Sequence, residues 1–172
     1  ICIENFLRLN ASLETKDITE LRYEIPVKDD ITLNGIIDRV VKGKSGGYLI
    51  IDYKTSRREK SKFDLYTDTQ LKGYCYAIHK MYEVPIENIT CAHYYPLTDN
   101  FVSLKYTNAQ INDYLRTIVN EVWRIRKSKK PDLCAERNEF CDWCGFKSLC
   151  PIFNDSHSIK KRLENRKKRG KR

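Results

Sequence analysis

Gly35-Ile36-Ile37-Asp38-Arg39 and Ile50-Ile51-Asp52-Tyr53-Lys54-Thr55 decide how this chain reads. Both are short apolar runs, of the kind that form buried β-strands, and each ends in charged residues. Between them Lys42-Gly43-Lys44-Ser45-Gly46-Gly47 is a glycine-rich hairpin connection. Side chains alternate along a strand, so Asp52 and Lys54 point one way and Tyr53 the other. If the two strands pair, Asp38 comes to the same sheet edge. Two carboxylates and an ammonium group there suit a divalent cation held beside a phosphate.

Outward from this pair the pattern stays regular. Residues 1–13 carry helix-spaced apolar positions, and residues 20–27 alternate as a strand. Asp29-Asp30 makes a turn. Strands are expected over 31–42 and 47–54, and residues 57–62 read as a charged loop. A helix is expected over 68–82, with Asp68 or Thr69 near its start. Leu71, Cys75, Ile78 and Tyr82 share one side of it, and Gln70, Tyr74 and Ala77 a neighbouring face. Strands over 88–96 and 101–106 precede a helix over 108–127, with Ile111, Leu115, Ile118, Val122 and Ile125 on its buried stripe. The order α-β-β-β-α-β-β-α predicts an α/β fold with a central mixed sheet flanked by helices.

The 172 residues are enough for one domain with a core, and no apolar run approaches a membrane span of about 20 residues. The chain opens on Ile1, which reads as a missing natural beginning; no signal peptide is visible. Net charge is +9, but residues 160–172 hold nine Lys/Arg against one Glu. Lys160, Lys161, Arg162, Arg166, Lys167, Lys168 and Arg169 thus form a basic tail, read either as a solvated end or as a contact for nucleic-acid phosphates. The seven cysteines are an odd number, and four of them lie within residues 134–150. That clustering favours metal ligation in a reducing, intracellular compartment over a disulfide framework. The boundaries read from the sequence are a core over 1–133, a cysteine segment over 134–154 and the tail over 155–172.

Gly35-x-x-Asp38, Asp52-Tyr53-Lys54-Thr55, Gln70-x-x-x-Tyr74 and Cys141-x2-Cys144-x5-Cys150-Pro151 follow one another in the order of the PD-(D/E)XK nucleases, and the chain resembles their RecB-like branch over about residues 20–151. The resemblance implies a restriction-endonuclease-like core. It implies Mg²⁺ or Mn²⁺ on Asp38, Asp52 and the backbone carbonyl of Tyr53, with Lys54 acting on the attacking water. Gln70 and Tyr74 would lie beside the metal and the substrate phosphate. Glu24 is either an outer-shell ligand or a plain strand carboxylate. Many members of the branch carry a metal-binding His on a helix before the first strand, and residues 1–19 have none. His79, His93 and His157 read as ordinary helix, strand and tail residues.

Cys141, Cys144 and Cys150 resemble the iron–sulfur variant of the branch, seen in AddB-like and CRISPR-associated relatives. They imply a four-iron four-sulfur (4Fe–4S) cluster, with Zn²⁺ as the alternative. A fourth ligand is open among Cys134, Cys2 and a cysteine before Ile1. Trp143 and Phe146, between the ligands, read first as packing around that cluster and second as base-stacking groups. Cys75 and Cys91 read as small buried hydrophobes. The expected activity is metal-dependent hydrolysis of DNA phosphodiesters, by an exonuclease or a DNA-end-processing enzyme. Its substrate would be single-stranded DNA or duplex ends, and its partner a helicase or recombination protein. The alternative is a weak or inactive nuclease-like module that binds DNA or a partner.

Overall fold

The computed structural model describes residues 2–13, 17–128 and 136–169, with the side chains of residues 156 and 166–169 left aside. The chain divides into two compact units, residues 1–122 and 123–172, with the division inside a helix. The sequence reading puts that break at 133 instead.

The first unit is built on one five-stranded sheet in the order β1-β2-β3-β4-β5, formed by β1 (Asp17–Lys28), β2 (Ile31–Lys42), β3 (Tyr48–Tyr53), β4 (Ile89–Tyr95) and β5 (Asn100–Leu104). All neighbours are antiparallel except β3 and β4, which are parallel. A parallel pair needs a crossover, and α2 (Lys62–Thr67) and α3 (Thr69–Tyr82) supply it. The arrangement is the α/β mixed sheet that the element order predicts, and it agrees with the restriction-endonuclease-like core that the resemblance implies.

The run Ile50-Ile51 is apolar at consecutive positions because β3 is covered on both faces. Ile50 packs into the main core with Ile37, Leu71, Cys75, Ile78 and Cys91. Ile51 packs into a smaller core with Val41 and Tyr94, edged by Leu9 and Leu13. Leu9 lies on α1 (Cys2–Ser12), so α1 covers the second face and α3 the first. Arg39 points to the α1 side, where it donates to Asn10 Oδ1 (2.7 Å) and pairs with Asp17.

Helix α3 is buried almost all round, through Leu71, Gly73, Tyr74, Cys75, Tyr76, Ala77 and Ile78. Cys75 and Cys91 are both sealed from solvent, as small hydrophobes. Helix α2 falls partly in the expected charged loop. Ser61 and Asp64 form a reciprocal capping box at its start, and the fully buried Leu65 anchors it. Helix α4 (Asn108–Lys127) follows β5. Its expected stripe holds at Ile111, which is buried, and fades along the helix until Ile125 is exposed. Tyr114, which the stripe omits, is buried instead.

Among its described residues, the second unit has the short 3-10 turns Glu139–Asp142 and Lys147–Leu149, and α5 (Ser156–Arg169). The basic tail is therefore helical over most of its length. Among the described residues, no helix is long and apolar enough to cross a membrane.

Candidate functional site

The site is assembled by strand register. β2 and β3 pair as Arg39↔Ile51 and Val40↔Ile50, and Asp38 and Asp52 are the next residues at that end of the ladder. Asp52 shares its face with Ile50, the face covered by α3, and Asp38 lies near enough for its charge to act on both Asp52 and Tyr74. Asp38 Oδ2 accepts the Tyr53 N–H at 2.9 Å. The Tyr53 ring turns to the α1 side, where its hydroxyl accepts from Arg39 Nη1 (3.2 Å) and its ring meets Tyr94 edge-on.

Gly35 has a steric job in this register. It lies opposite Tyr23 across the β1–β2 pair, and Tyr23 folds over it. A Cβ at position 35 would sit 2.6 Å from the Tyr23 hydroxyl and 2.9 Å from its ring. Tyr23 in turn meets Tyr74 edge-to-face at 6.1 Å. The glycine of the Gly-x-x-Asp run thus lets an aromatic ring reach the wall of the site.

Asp52 is 2 % exposed. Its Oδ2 lies 2.6 Å from Lys54 Nζ and 3.6 Å from His93 Nε2, yet accepts no well-formed hydrogen bond. Burial raises the Asp52 carboxyl above its usual range; Lys54 pulls it down, and Asp38 and Asp68 push it further up. Lys54 Nζ also donates to Gln70 Oε1 (2.9 Å), and Gln70 Nε2 donates to the Tyr74 hydroxyl (2.7 Å). Gln70 and Tyr74 are one turn apart on α3, which makes this link possible. Burial raises the Tyr74 phenol as well, assisted by the charge of Asp52.

Two site neighbours were not legible as such. His93 is read from the sequence as an ordinary strand residue, but the parallel register sets it beside Asp52, fully buried. Its Nε2 lies 3.6 Å from both Asp52 Oδ2 and Asp68 Oδ2 and makes no hydrogen bond. Burial pushes the His93 imidazole down to about 4, so it is neutral at pH 7. Asp68 is more than a helix start. Its Oδ1 caps α3 at the Leu71 N–H (3.0 Å), while Oδ2 receives Lys60 Nζ (2.7 Å). Burial raises its carboxyl, but Lys60 and the Leu71 N–H outweigh this and hold it below the usual range. Signals for both existed: Asp68 is a helix cap, and His93 is a polar residue in an apolar strand. Ser56, Arg58, Lys60, Asp68, Thr69 and Gln70 line a cleft of about 650 Å³ next to this cluster.

Glu24 does not join the site. Tyr23 and Ile25 point into the core, so Glu24 between them points out, and it is exposed opposite Asn34. His79 bonds the Val84 carbonyl at 2.7 Å and lies at the far end of α3. The cysteines are not gathered either. Cys141 and Cys150 are half-buried and Cys144 is exposed. Among the described residues, no three His, Cys, Asp or Glu side chains converge as a metal-holding group. Cys134 lies outside the described residues. Trp143 and Phe146 are exposed rather than packed.

That result bears on both expected cofactors. Mg²⁺ commonly takes one or two carboxylates and completes its shell with water and phosphate oxygens. Asp38 and Asp52, at the same end of the β2–β3 ladder and with the buried Asp52 Oδ2 lacking a well-formed hydrogen bond, are carboxylates of the kind such a donor set uses. The three cysteines do not make a four-thiolate set among the described residues.

Residues 3–151 match the family model of the PD-(D/E)XK nuclease superfamily, and the chain belongs to that superfamily. Its members are nucleases, hydrolases of nucleic-acid backbones that usually work with Mg²⁺ or Mn²⁺. The chain is also similar to the crystal structure of SSO0001, at a TM-score of 0.52 and 19% sequence identity, over 88% of this chain and 69% of that one. That likeness concerns the fold alone. No curated protein matches the chain significantly.

Proposed function

We propose that this chain is a metal-dependent DNA nuclease of the RecB-like branch, acting as an exonuclease or on DNA ends. The observation that carries the reading is the placement of Asp38 and Asp52 at the same end of the β2–β3 ladder, just beyond Arg39↔Ile51, with Lys54 in contact with Asp52. Asp38, Asp52 and the Tyr53 carbonyl would hold Mg²⁺ or Mn²⁺, which when bound supplies Lewis-acid activation of water and phosphate. Lys54, held between Asp52 and Gln70, orients the attacking water and offsets charge on the phosphate. Gln70 and Tyr74 form the wall against which the phosphate rests.

The test is degradation of end-labelled linear DNA. The expected result is loss of label with Mg²⁺ or Mn²⁺, none with a chelator, and none in the Asp52→Ala protein. Binding without cutting in every metal tried would favour the second reading, an inactive DNA-binding module. One observation speaks for that reading: among the described residues no three His, Cys, Asp or Glu side chains converge as a metal-holding group.

The cysteine spacing supports a 4Fe–4S cluster with a structural role, in an intracellular, reducing compartment. Absorbance near 400 nm in the purified protein is the expected sign of it, and a colourless zinc-bearing protein would refute it. DNA ends as substrate and a helicase or recombination protein as partner belong to the same reading. The basic tail, Lys160–Lys161–Arg162 and onward, would add affinity for phosphates that does not depend on sequence.

A further inference from the structure

The charge asymmetry of the chain follows its two units. Residues 123–172 hold sixteen Lys/Arg against six Asp/Glu, a net +10, which leaves residues 1–122 at −1. The unit that carries this charge also exposes three large aromatic rings at three-residue spacing. Phe140 is 70 % exposed, Trp143 90 % and Phe146 71 %.

These rings sit on backbone that is tied down. Asn138 accepts the Phe140 N–H at 2.9 Å, and the Phe140 carbonyl accepts the Trp143 N–H at 3.1 Å. In a 3-10 turn, residues three apart eclipse, so Phe140 and Trp143 lie on one side of it. The turn that follows Phe146 is held by Asn154, which donates to the Lys147 and Cys150 carbonyls at 2.8 and 3.1 Å. Helix α5 docks on the same turn: Arg162 Nη1 donates to the Ser148 carbonyl (2.5 Å) and to Asn154 Oδ1 (2.9 Å). Lys160 and Lys161 are therefore carried on a helix fixed to the aromatic segment. Apolar rings left in water on such a backbone suit a partner that covers their faces.

We infer that the Phe140–Phe146 segment and α5 form a stacking site for unpaired bases, giving the chain a preference for single-stranded DNA. Every base offers a ring face for stacking, and a duplex hides those faces. The positive charge fits a phosphate backbone and disfavours an acid-poor apolar protein partner. The inference rests on the nuclease reading only for the choice of DNA.

The test uses the full chain and oligothymidylate, with a chelator present so that cleavage plays no part. Trp123 and Trp143 are the two tryptophans of the chain, which makes intrinsic fluorescence specific. Oligothymidylate should quench the wild-type and Trp123→Phe proteins, and the quench should vanish in Trp143→Phe. Trp143→Ala should weaken binding about tenfold or more, and a hairpin duplex of equal length should bind more weakly than the single strand. Lys160→Gln with Lys161→Gln should flatten the salt dependence by a slope of about 1 to 2. Equal affinity of Trp143→Ala and wild type, or equal affinity for duplex and single strand, would overturn the inference. So would self-association lost in Trp143→Ala with no oligothymidylate binding, which would assign the rings to protein contact. Failure of the nuclease reading shows instead as intact binding without metal-dependent cleavage.

Discussion

Lys54→Met is expected to abolish cleavage and to destabilise the protein, whereas Asp52→Asn abolishes cleavage and leaves it at least as stable as wild type. The activity losses should be about 10²-fold to 10⁴-fold, typical of removing a group that acts on the proton or charge in flight. The stability effects diverge because Asp52 is buried and Lys54 is its closest cation, at 2.6 Å. Removing the lysine strands a buried carboxylate beside Asp38, at a cost of about 1–3 kcal/mol. Removing the charge of Asp52 relieves a desolvation penalty instead. The sign follows from its raised folded carboxyl: the folded state holds this proton more tightly than the unfolded chain, so stability falls as pH rises past the unfolded value, and the penalty is present at pH 7. Denaturant melts of both variants and of Asp52→Asn/Lys54→Met check this. In the double variant the cost of Lys54→Met should largely disappear, because no stranded charge is left.

Gly35→Val should cost about 1–3 kcal/mol and lower activity, although position 35 bears no reacting group. The larger side chain begins with a Cβ 2.6 Å from the Tyr23 hydroxyl, inside any real contact distance. Tyr23 is hemmed in: it is buried, it packs edge-on against Tyr74, and its phenol is pushed up to about 12, first by burial and then by Tyr74. The ring must therefore move toward Tyr74, which holds Gln70, which holds Lys54. Gly35→Val combined with Tyr23→Leu should recover part of the loss, because the shortened side chain vacates the contact. Thermal melts read the first effect and rates of DNA degradation the second. Loss of stability without recovery in the double variant would assign Gly35 to strand geometry alone.

Features set by local pattern were legible in the sequence. The glycine-rich connection and the two apolar runs marked β2 and β3, and the Ser61-x-x-Asp64 box marked α2 for a reader attending to caps. Asp38, Asp52, Lys54, Gln70 and Tyr74 could be named because their motifs resemble those of the nuclease family, while spacing alone tells that Asp52 and Lys54, and Gln70 and Tyr74, share a face. His93 could not be placed, since its neighbour is set by a parallel pairing reached through about 35 residues of crossover. Asp68 announced its capping role but not its second contact with Lys60, which depends on how the loop before α2 folds back. Ile125 misled because apolar spacing on α4 continues through it although the residue is exposed. Trp143 misled because a sequence shows that a ring is present but not what lies over it.

The central claim is that two carboxylates on neighbouring strands share one divalent ion, and manganese binding tests it most directly. The paramagnetic resonance signal of free Mn²⁺ should fall as wild-type protein is added, with about one ion taken up at the site. Asp38→Asn and Asp52→Asn should each weaken that uptake tenfold or more. Undiminished uptake in both variants, or none by the wild type, would contradict the account.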